Sequence, residues 1–393
     1  MKLPKTLSHG LLWFGAAVSL AEMMTGTLFA PLGWGKGVAA VLLGHAIGCV
    51  LLYLIGLIGA ETKEPTMKSS RIAFGRYGSY AFSIFNIVQL LGWTAIMIIG
   101  GSAVLRQTVS LLAGYENSAL WTILIGVLVG VWIIAGMKNV GKINVFAVGG
   151  LFVLTIIMSF VVFGSGEMKA IEGSLTFGAA VELSIAMPLS WLPLIGDYTR
   201  DSNQPKRTAA ISAVTYFIGS VWMYVIGMAL ALYAGESDIG IVLAAAGFGV
   251  VALLVALFST VTTTFLDAYS AGVSFTNLSD GKGEKTFALI VCAVATVLAL
   301  LFPMDQYENF LYLIGSFFVP MVTLLLMEYF VFQQRSMEAV FRWDNAMLWA
   351  MGFGLYRVFL SIDTVVGSTV PVMVILAILS AVCHGAKTAI KKS

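Results

Sequence analysis

Four groups of residues have the types and spacing to do chemistry, and each sits in or beside an apolar run. The first is Phe258-Ser-Thr-Val-Thr-Thr-Thr-Phe-Leu-Asp267. Ser259, Thr262 and Thr263 follow the i, i+3, i+4 spacing of one helix face, and Asp267 continues it. Such hydroxyls, with carbonyls from an unwound helix opposite, suit a hard, low-charge cation such as sodium. They equally suit bonding to carbonyls one turn back on their own helix. The second group is Gln89 and Trp93, four apart and on one face. An indole stacks on planar heteroaromatics, and an amide both donates and accepts at a ring edge. The third is a set of carboxylates: Glu22, Asp267 and Glu328 within apolar runs, Glu182 and Asp197 nearer the ends of theirs. A charge at mid-bilayer is costly unless it meets a partner or a cavity. The fourth is a pair of helix-breaking stretches, Phe14-Gly-Ala-Ala-Val-Ser-Leu-Ala-Glu-Met-Met-Thr-Gly26 and Met187-Pro-Leu-Ser-Trp-Leu-Pro193. Each proline of the second removes a backbone donor, and backbone unwinds in a membrane only where it lines a cavity.

The elements that must carry these groups are transmembrane helices. Of 393 residues, 59% are apolar and 11% charged, and the mean hydropathy is +0.94. That excludes a soluble enzyme, a disulfide scaffold, a disordered chain and a nucleic-acid binder. A bilayer core needs roughly 20 mainly apolar residues per helix. Twelve runs meet this: 10–33, 37–59, 80–112, 118–136, 142–164, 176–199, 209–234, 241–277, 285–303, 308–333, 344–361 and 365–385. With a cytoplasmic N-terminus, 18 of the 22 Lys and Arg fall on the cytoplasmic side, and only Lys36, Arg106, Lys169 and Arg357 lie outside. That positive-inside bias supports an even span count and two cytoplasmic termini. Outer loops such as 235–238 are short and acidic. The first span carries Glu22 and two glycines and lacks a small-residue cleavage site, so it reads as a span and not as a signal peptide. Cys49, Cys292 and Cys383 read as small core residues. The three histidines have no zinc spacing. Gly136-Met-Lys-Asn-Val-Gly-Lys142 has part of a phosphate-loop pattern but no preceding strand, and reads as a cytoplasmic turn. Gly44 with Gly48, and Gly126 with Gly130, read as sites of close helix packing.

The two broken spans are the first and the sixth. An odd separation of five places a repeat starting at span six in opposite topology to one starting at span one, the plan of many secondary transporters. A membrane-embedded enzyme would need a catalytic set, and no HExxH or GxSxG appears. A channel would want a repeated filter or a charged ring.

The segment Pro188-Leu-Ser-Trp-Leu-Pro-Leu-Ile-Gly-Asp-Tyr-Thr-Arg200 resembles the nucleobase–cation symporters, the family of cytosine permeases and hydantoin transporters. Phe74-Gly-Arg-Tyr-Gly-Ser79, Gly92-Trp93, Thr262-Thr263 and Asn277 fall in register with the cytosine permeases, and the likeness spans nearly the whole chain. Ser19-Leu-Ala-Glu-Met-Met-Thr-Gly26 with the Pro-Leu-Ser-Trp segment looks most like the hydroxymethylpyrimidine permease branch. The resemblance implies an all-α LeuT-type fold: repeats 1–172 and 173–335, inverted and five helices each, with discontinuous helices 1 and 6, then two peripheral helices in 336–393. It implies a multi-pass protein of a bacterial inner membrane that needs no protein partner or cofactor beyond its coupling ion. It places sodium on the carbonyls of Gly15, Val18 and Ser259 and the hydroxyls of Thr262 and Thr263. It places a pyrimidine on Trp93 and Ser190, with Gln89, Trp191, Ser19, Glu22 and Asp267 completing the candidate set. Departures argue against cytosine itself: Leu90 stands where a glutamine is expected, Pro188 where an aromatic is, and Thr264-Phe-Leu-Asp267 replaces an asparagine-rich stretch. An intramembrane carboxylate such as Asp267 leaves protons open as the coupling ion.

Overall fold

The computed structural model describes residues 5–164, 168–235, 249–301 and 306–392. Among them the regular structure is helical throughout, and eight helices are long and apolar enough to cross a membrane. The expected spans fall on helices in chain order. Span one is split into α1 (Lys5–Ala17) and α2 (Leu20–Thr27); span two is α3 (Gly33–Thr62). A short α4 (Thr66–Ser69) precedes span three, α5 (Arg71–Ala113). Spans four and five lie in α6 (Ser118–Gly164), and span six is split into α7 (Phe177–Ser190) and α8 (Leu192–Thr199). Then follow α9 (Pro205–Ala234), α10 (Gly249–Leu278), α11 (Glu284–Leu301), α12 (Tyr307–Leu326), α13 (Trp343–Phe359) and α14 (Thr369–Lys392). The expected outer loop at 236–238 and the start of span eight lie outside the described residues.

One expectation is corrected. The turn at Gly136–Lys142 is helical backbone within α6. No proline interrupts residues 118–164, and glycine costs a helix only about 1 kcal/mol, so the backbone bonds run on. A second correction is Cys383, which is exposed on α14, whereas Cys49 and Cys292 are buried as expected.

The helices pack into two compact units, each drawn from three stretches of chain. The first holds Met1–Leu42, Ile87–Phe177 and Ile211–Tyr307. Within it α10, α6 and α11 pack mutually, and α10 also packs on α1 and α2. Gly101 of α5 lets Thr260 of α10 approach, since a Cβ there would lie 2.7 Å from its hydroxyl. Gly126 seats Thr296 of α11 in the same way, while Gly130 faces open space. The packing role expected of that pair therefore holds for one glycine of the two.

The second unit holds Leu43–Asn86, Gly178–Ala210 and Glu308–Ser393. Gly44 and Gly48 of α3 abut Ser184 and Pro188 of α7, and a Cβ at either would come within 2.4 Å of them. His45 on the same helix lies 2.7 Å from the Ser184 hydroxyl. Glu182 of α7 accepts from the Tyr356 hydroxyl of α13 and from both the amide and the hydroxyl of Thr369, where α14 begins. At the far end of α12 a π-helical turn, Met327–Val331, places Glu328 against Arg342 at 2.6 Å and Asn345 at 2.8 Å. The kink at Gly75 (φ 73°) is held there by the chain before α13: Arg76 and Tyr77 donate their amides to the carbonyls of Ala339 and Val340.

Candidate functional site

The break in span one is made by residues 18 and 19. Ser19 is extended (φ −129°, ψ 157°), and its hydroxyl accepts from the Glu22 amide at 3.3 Å, so it caps α2 inside an apolar run. A serine favours this because its short side chain replaces the backbone acceptor that the helix start lacks. The Ser19 amide donates to the Ala17 carbonyl at 3.0 Å. In an unbroken helix it would serve Gly15 four residues back, so that carbonyl is released. The C-terminal end of α1 thus presents carbonyl oxygen and a partial negative charge, which favour a cation.

The hydroxyl run on α10, which packs on both halves of that broken helix, is more finely divided than its spacing foretells. Thr262 donates to the Phe258 carbonyl at 2.7 Å, the local bond that membrane threonines often make. A donating hydroxyl keeps its lone pairs, so Thr262 remains able to coordinate a cation. Thr260, Thr263 and Thr264 are buried, and among the described residues their hydroxyls have no hydrogen-bond partner. With Asp267 they form an i, i+3, i+4, i+7 stripe. Asp267 is buried and enters no hydrogen bond or ion pair among the described residues. Buried polar groups without partners are uncommon and call for a ligand, an ion or a water. The released Gly15 carbonyl and the orphaned Thr263 hydroxyl are hard oxygen donors of the kind sodium takes. Ser259 contributes helical backbone to the run.

Trp93 and Gln89 of α5 are buried in the same unit, and Trp93 meets Tyr307 edge to face, with ring centroids 6.0 Å apart. The Tyr307 hydroxyl in turn lies 2.6 Å from that of Thr25 on α2. An aromatic and polar chain thus runs from α5 to α2. Glu22 is oriented toward α9: its two oxygens accept from Tyr216 and Ser220, each at 2.6 Å. Tyr216, Ser220, Tyr307, Thr260 and Thr264 are the members of this region that reasoning from the sequence missed. Tyr216 and Ser220 stand four apart in an apolar helix, and that spacing was the available signal.

Ser190 and Trp191 belong to the second unit. Pro188 and Pro193 flank the break, Trp191 bridges it (φ −87°, ψ −13°), and its amide reaches back three residues to the Pro188 carbonyl at 3.2 Å. The Ser190 hydroxyl donates to the Met187 carbonyl at 2.7 Å. Beyond the break α8 is fixed at two points: the Gly196 amide donates to the Thr66 hydroxyl at 2.8 Å and the Thr199 hydroxyl to the Gly56 carbonyl at 2.9 Å.

The model of a family described as "Permease for cytosine/purines, uracil, thiamine, allantoin" matches residues 4–342. The chain belongs to that permease family. The permease is 28% identical over 297 residues to the cytosine permease of Escherichia coli (strain K12), an alignment covering 74% of this chain and 68% of that protein. It is similar to Mhp1, a nucleobase-cation-symport-1 family transporter, solved in a closed conformation with bromovinylhydantoin bound. The TM-score is 0.77 at 18% identity, over 96% of this chain and 91% of that one. A Na+-coupled sialic acid symporter in a substrate-bound outward-open state gives 0.68 at 13% identity, over 96% and 88%. At these identities the two structures establish a shared transporter fold. The permease is therefore a membrane-spanning transporter and not an enzyme, and its kinship with nucleobase–cation symporters stands.

Proposed function

We propose that the permease imports a pyrimidine together with sodium by alternating access, and that the pyrimidine is hydroxymethylpyrimidine, a thiamine precursor. The observation that carries the coupling is the break at 18–19 with its released Gly15 carbonyl, on a helix that packs against the orphaned Thr263 hydroxyl's helix. Sodium would be held by the carbonyls of Gly15, Val18 and Ser259 and the hydroxyls of Thr262 and Thr263, ordering the break. The ring would stack on Trp93, with Gln89, Ser19 and Asp267 at its edge. Of the two carboxylates proposed for that edge, Asp267 has its oxygens available, whereas those of Glu22 are taken by α9 hydroxyls. The family pattern adds Ser190 to the substrate set, and Trp191 is the candidate replacement for the aromatic that the family has where Pro188 stands. Sodium and substrate each raise the other's affinity, because coupling free energy is reciprocal.

The same reading assigns twelve crossings, inverted repeats over 1–172 and 173–335, peripheral helices in 336–393, both termini in the cytoplasm and residence in a bacterial inner membrane. A second reading, cytosine as substrate, is favoured by the identity with the Escherichia coli cytosine permease. Tryptophan-fluorescence titration of the purified permease with each pyrimidine, in sodium and with sodium replaced by choline, separates these. Hydroxymethylpyrimidine binding more tightly, and only in sodium, is the expected result. Tighter cytosine binding moves the assignment to the second reading, and indifference to sodium overturns the sodium site in favour of protons.

A further inference from the structure

Of the five carboxylates buried in the described helices, three meet partners of very different kinds. Glu328 faces the guanidinium of Arg342. Glu182 caps the start of α14 and accepts a backbone amide there, at the positive end of a helix. Glu22 has neither. Its partners are two neutral hydroxyls, one on each oxygen, and among the described residues it enters no ion pair. A buried anion without a cation is expensive, and neutral donors only partly offset the cost.

Glu22 also occupies a particular place. It lies in the first turn of α2, four residues past Val18 and about 3 Å of helical rise from Leu20, where the helix resumes after the break. The tyrosine and serine that hold it are on α9, which touches α2 backbone to backbone. A Cβ on Gly26 would lie 2.3 Å from the Tyr224 carbonyl oxygen, and one on Gly227 would lie 2.0 Å from that of Met23. The carboxylate is thereby pinned by a rigid contact, with both of its oxygens engaged by α9 hydroxyls.

We infer that Glu22 is the fixed counter-charge of the cation bound at the break: a residue that ligates nothing and sets the strength of cation binding through space. This rests on the sodium reading above and names a residue outside its ligand set. At an effective dielectric constant near 20, a full charge on the order of 10 Å from a bound cation changes its affinity by more than about tenfold. Acting as a point charge, it strengthens all monovalent cations alike, so selectivity stays with the ligating oxygens.

The test is sodium and lithium titration of the purified permease, read by tryptophan fluorescence, for wild type, Glu22→Gln, Glu22→Asp and Tyr216→Phe. Glu22→Gln is expected to raise the half-saturating sodium concentration at least tenfold and to leave the sodium-to-lithium ratio unchanged. Glu22→Asp keeps the charge and is expected to stay within about threefold of wild type, as is Tyr216→Phe, which removes one donor and no charge. An unchanged sodium affinity in Glu22→Gln overturns the inference. So does an equal loss in Glu22→Gln and Tyr216→Phe, which would make the carboxylate a structural tie between α2 and α9. If the wild type itself ignores sodium, the fault lies with the sodium reading, a distinguishable failure.

Discussion

Gly227→Ala is the most direct trial of how α2 is seated. A Cβ added there would stand 2.0 Å from the Met23 carbonyl oxygen and 2.8 Å from its carbon, both backbone atoms that cannot swing aside. Ordinary contact starts at 3.4 Å, so the helices must part by about 1.4 Å (3.4 − 2.0). The same displacement stretches the 2.6 Å bonds from Tyr216 and Ser220 to Glu22 toward 4.0 Å, past hydrogen-bond range. Overpacking costs about 1–3 kcal/mol and each lost bond to a charged group about 1.5–3. The lower ends sum to about 4 kcal/mol, a large share of the stability of any folded domain. The assay is thermal unfolding in detergent, followed by loss of the monodisperse peak, beside Gly130→Ala, where a Cβ meets nothing within 4 Å. Gly227→Ala is expected to melt many degrees lower and Gly130→Ala no lower than wild type, because replacing a mid-helix glycine by alanine gains about 0.5–1 kcal/mol. If both melt with the wild type, the backbone contact between α2 and α9 is not tight and the argument for a pinned Glu22 fails with it.

Thr263→Val removes an unpaired buried hydroxyl at constant shape; without sodium it is expected to melt at or above wild type, and with sodium to lose the stabilisation that the ion confers, both read by melting curves. Trp93→Ala removes a stacking face worth about 1–3 kcal/mol, so substrate binding is expected to weaken about fivefold to 150-fold in equilibrium titration, with Trp93→Phe retaining most of it. Arg342→Met strands Glu328 as a buried charge at an expected cost of about 3 kcal/mol, and the double variant with Glu328→Leu is expected to recover much of the lost melting temperature.

The breaks at residues 18–19 and 191 were legible in the sequence because their causes are local: a serine that can cap, and prolines that withhold donors. The helices were legible from apolar length alone. The partition of the α10 hydroxyls was not, since whether a threonine bonds backward or stays open depends on what packs beside it. Thr262 bonds backward and Thr263 one residue on does not. Nor was the orientation of Glu22, which is decided by Tyr216 and Ser220, 194 and 198 positions away. The helical continuity of α6 through Gly136 and Gly141 was missed for the opposite reason: glycines and lysines in a short polar stretch look like a turn, but nothing in them forbids a helix.

Glu182 commits both of its oxygens to Tyr356 and Thr369, so the ends of α13 and α14 and the loop between them share a frame with α7, the leading half of the second broken helix. Both of those helices carry large apolar side chains on their outer surfaces, Met347, Met351 and Val358 on one, Val374, Ile378 and Val382 on the other. Any turning of α7 is therefore shared by both helices and by the apolar faces that they carry, so whatever those faces rest against becomes part of the resistance to that turning.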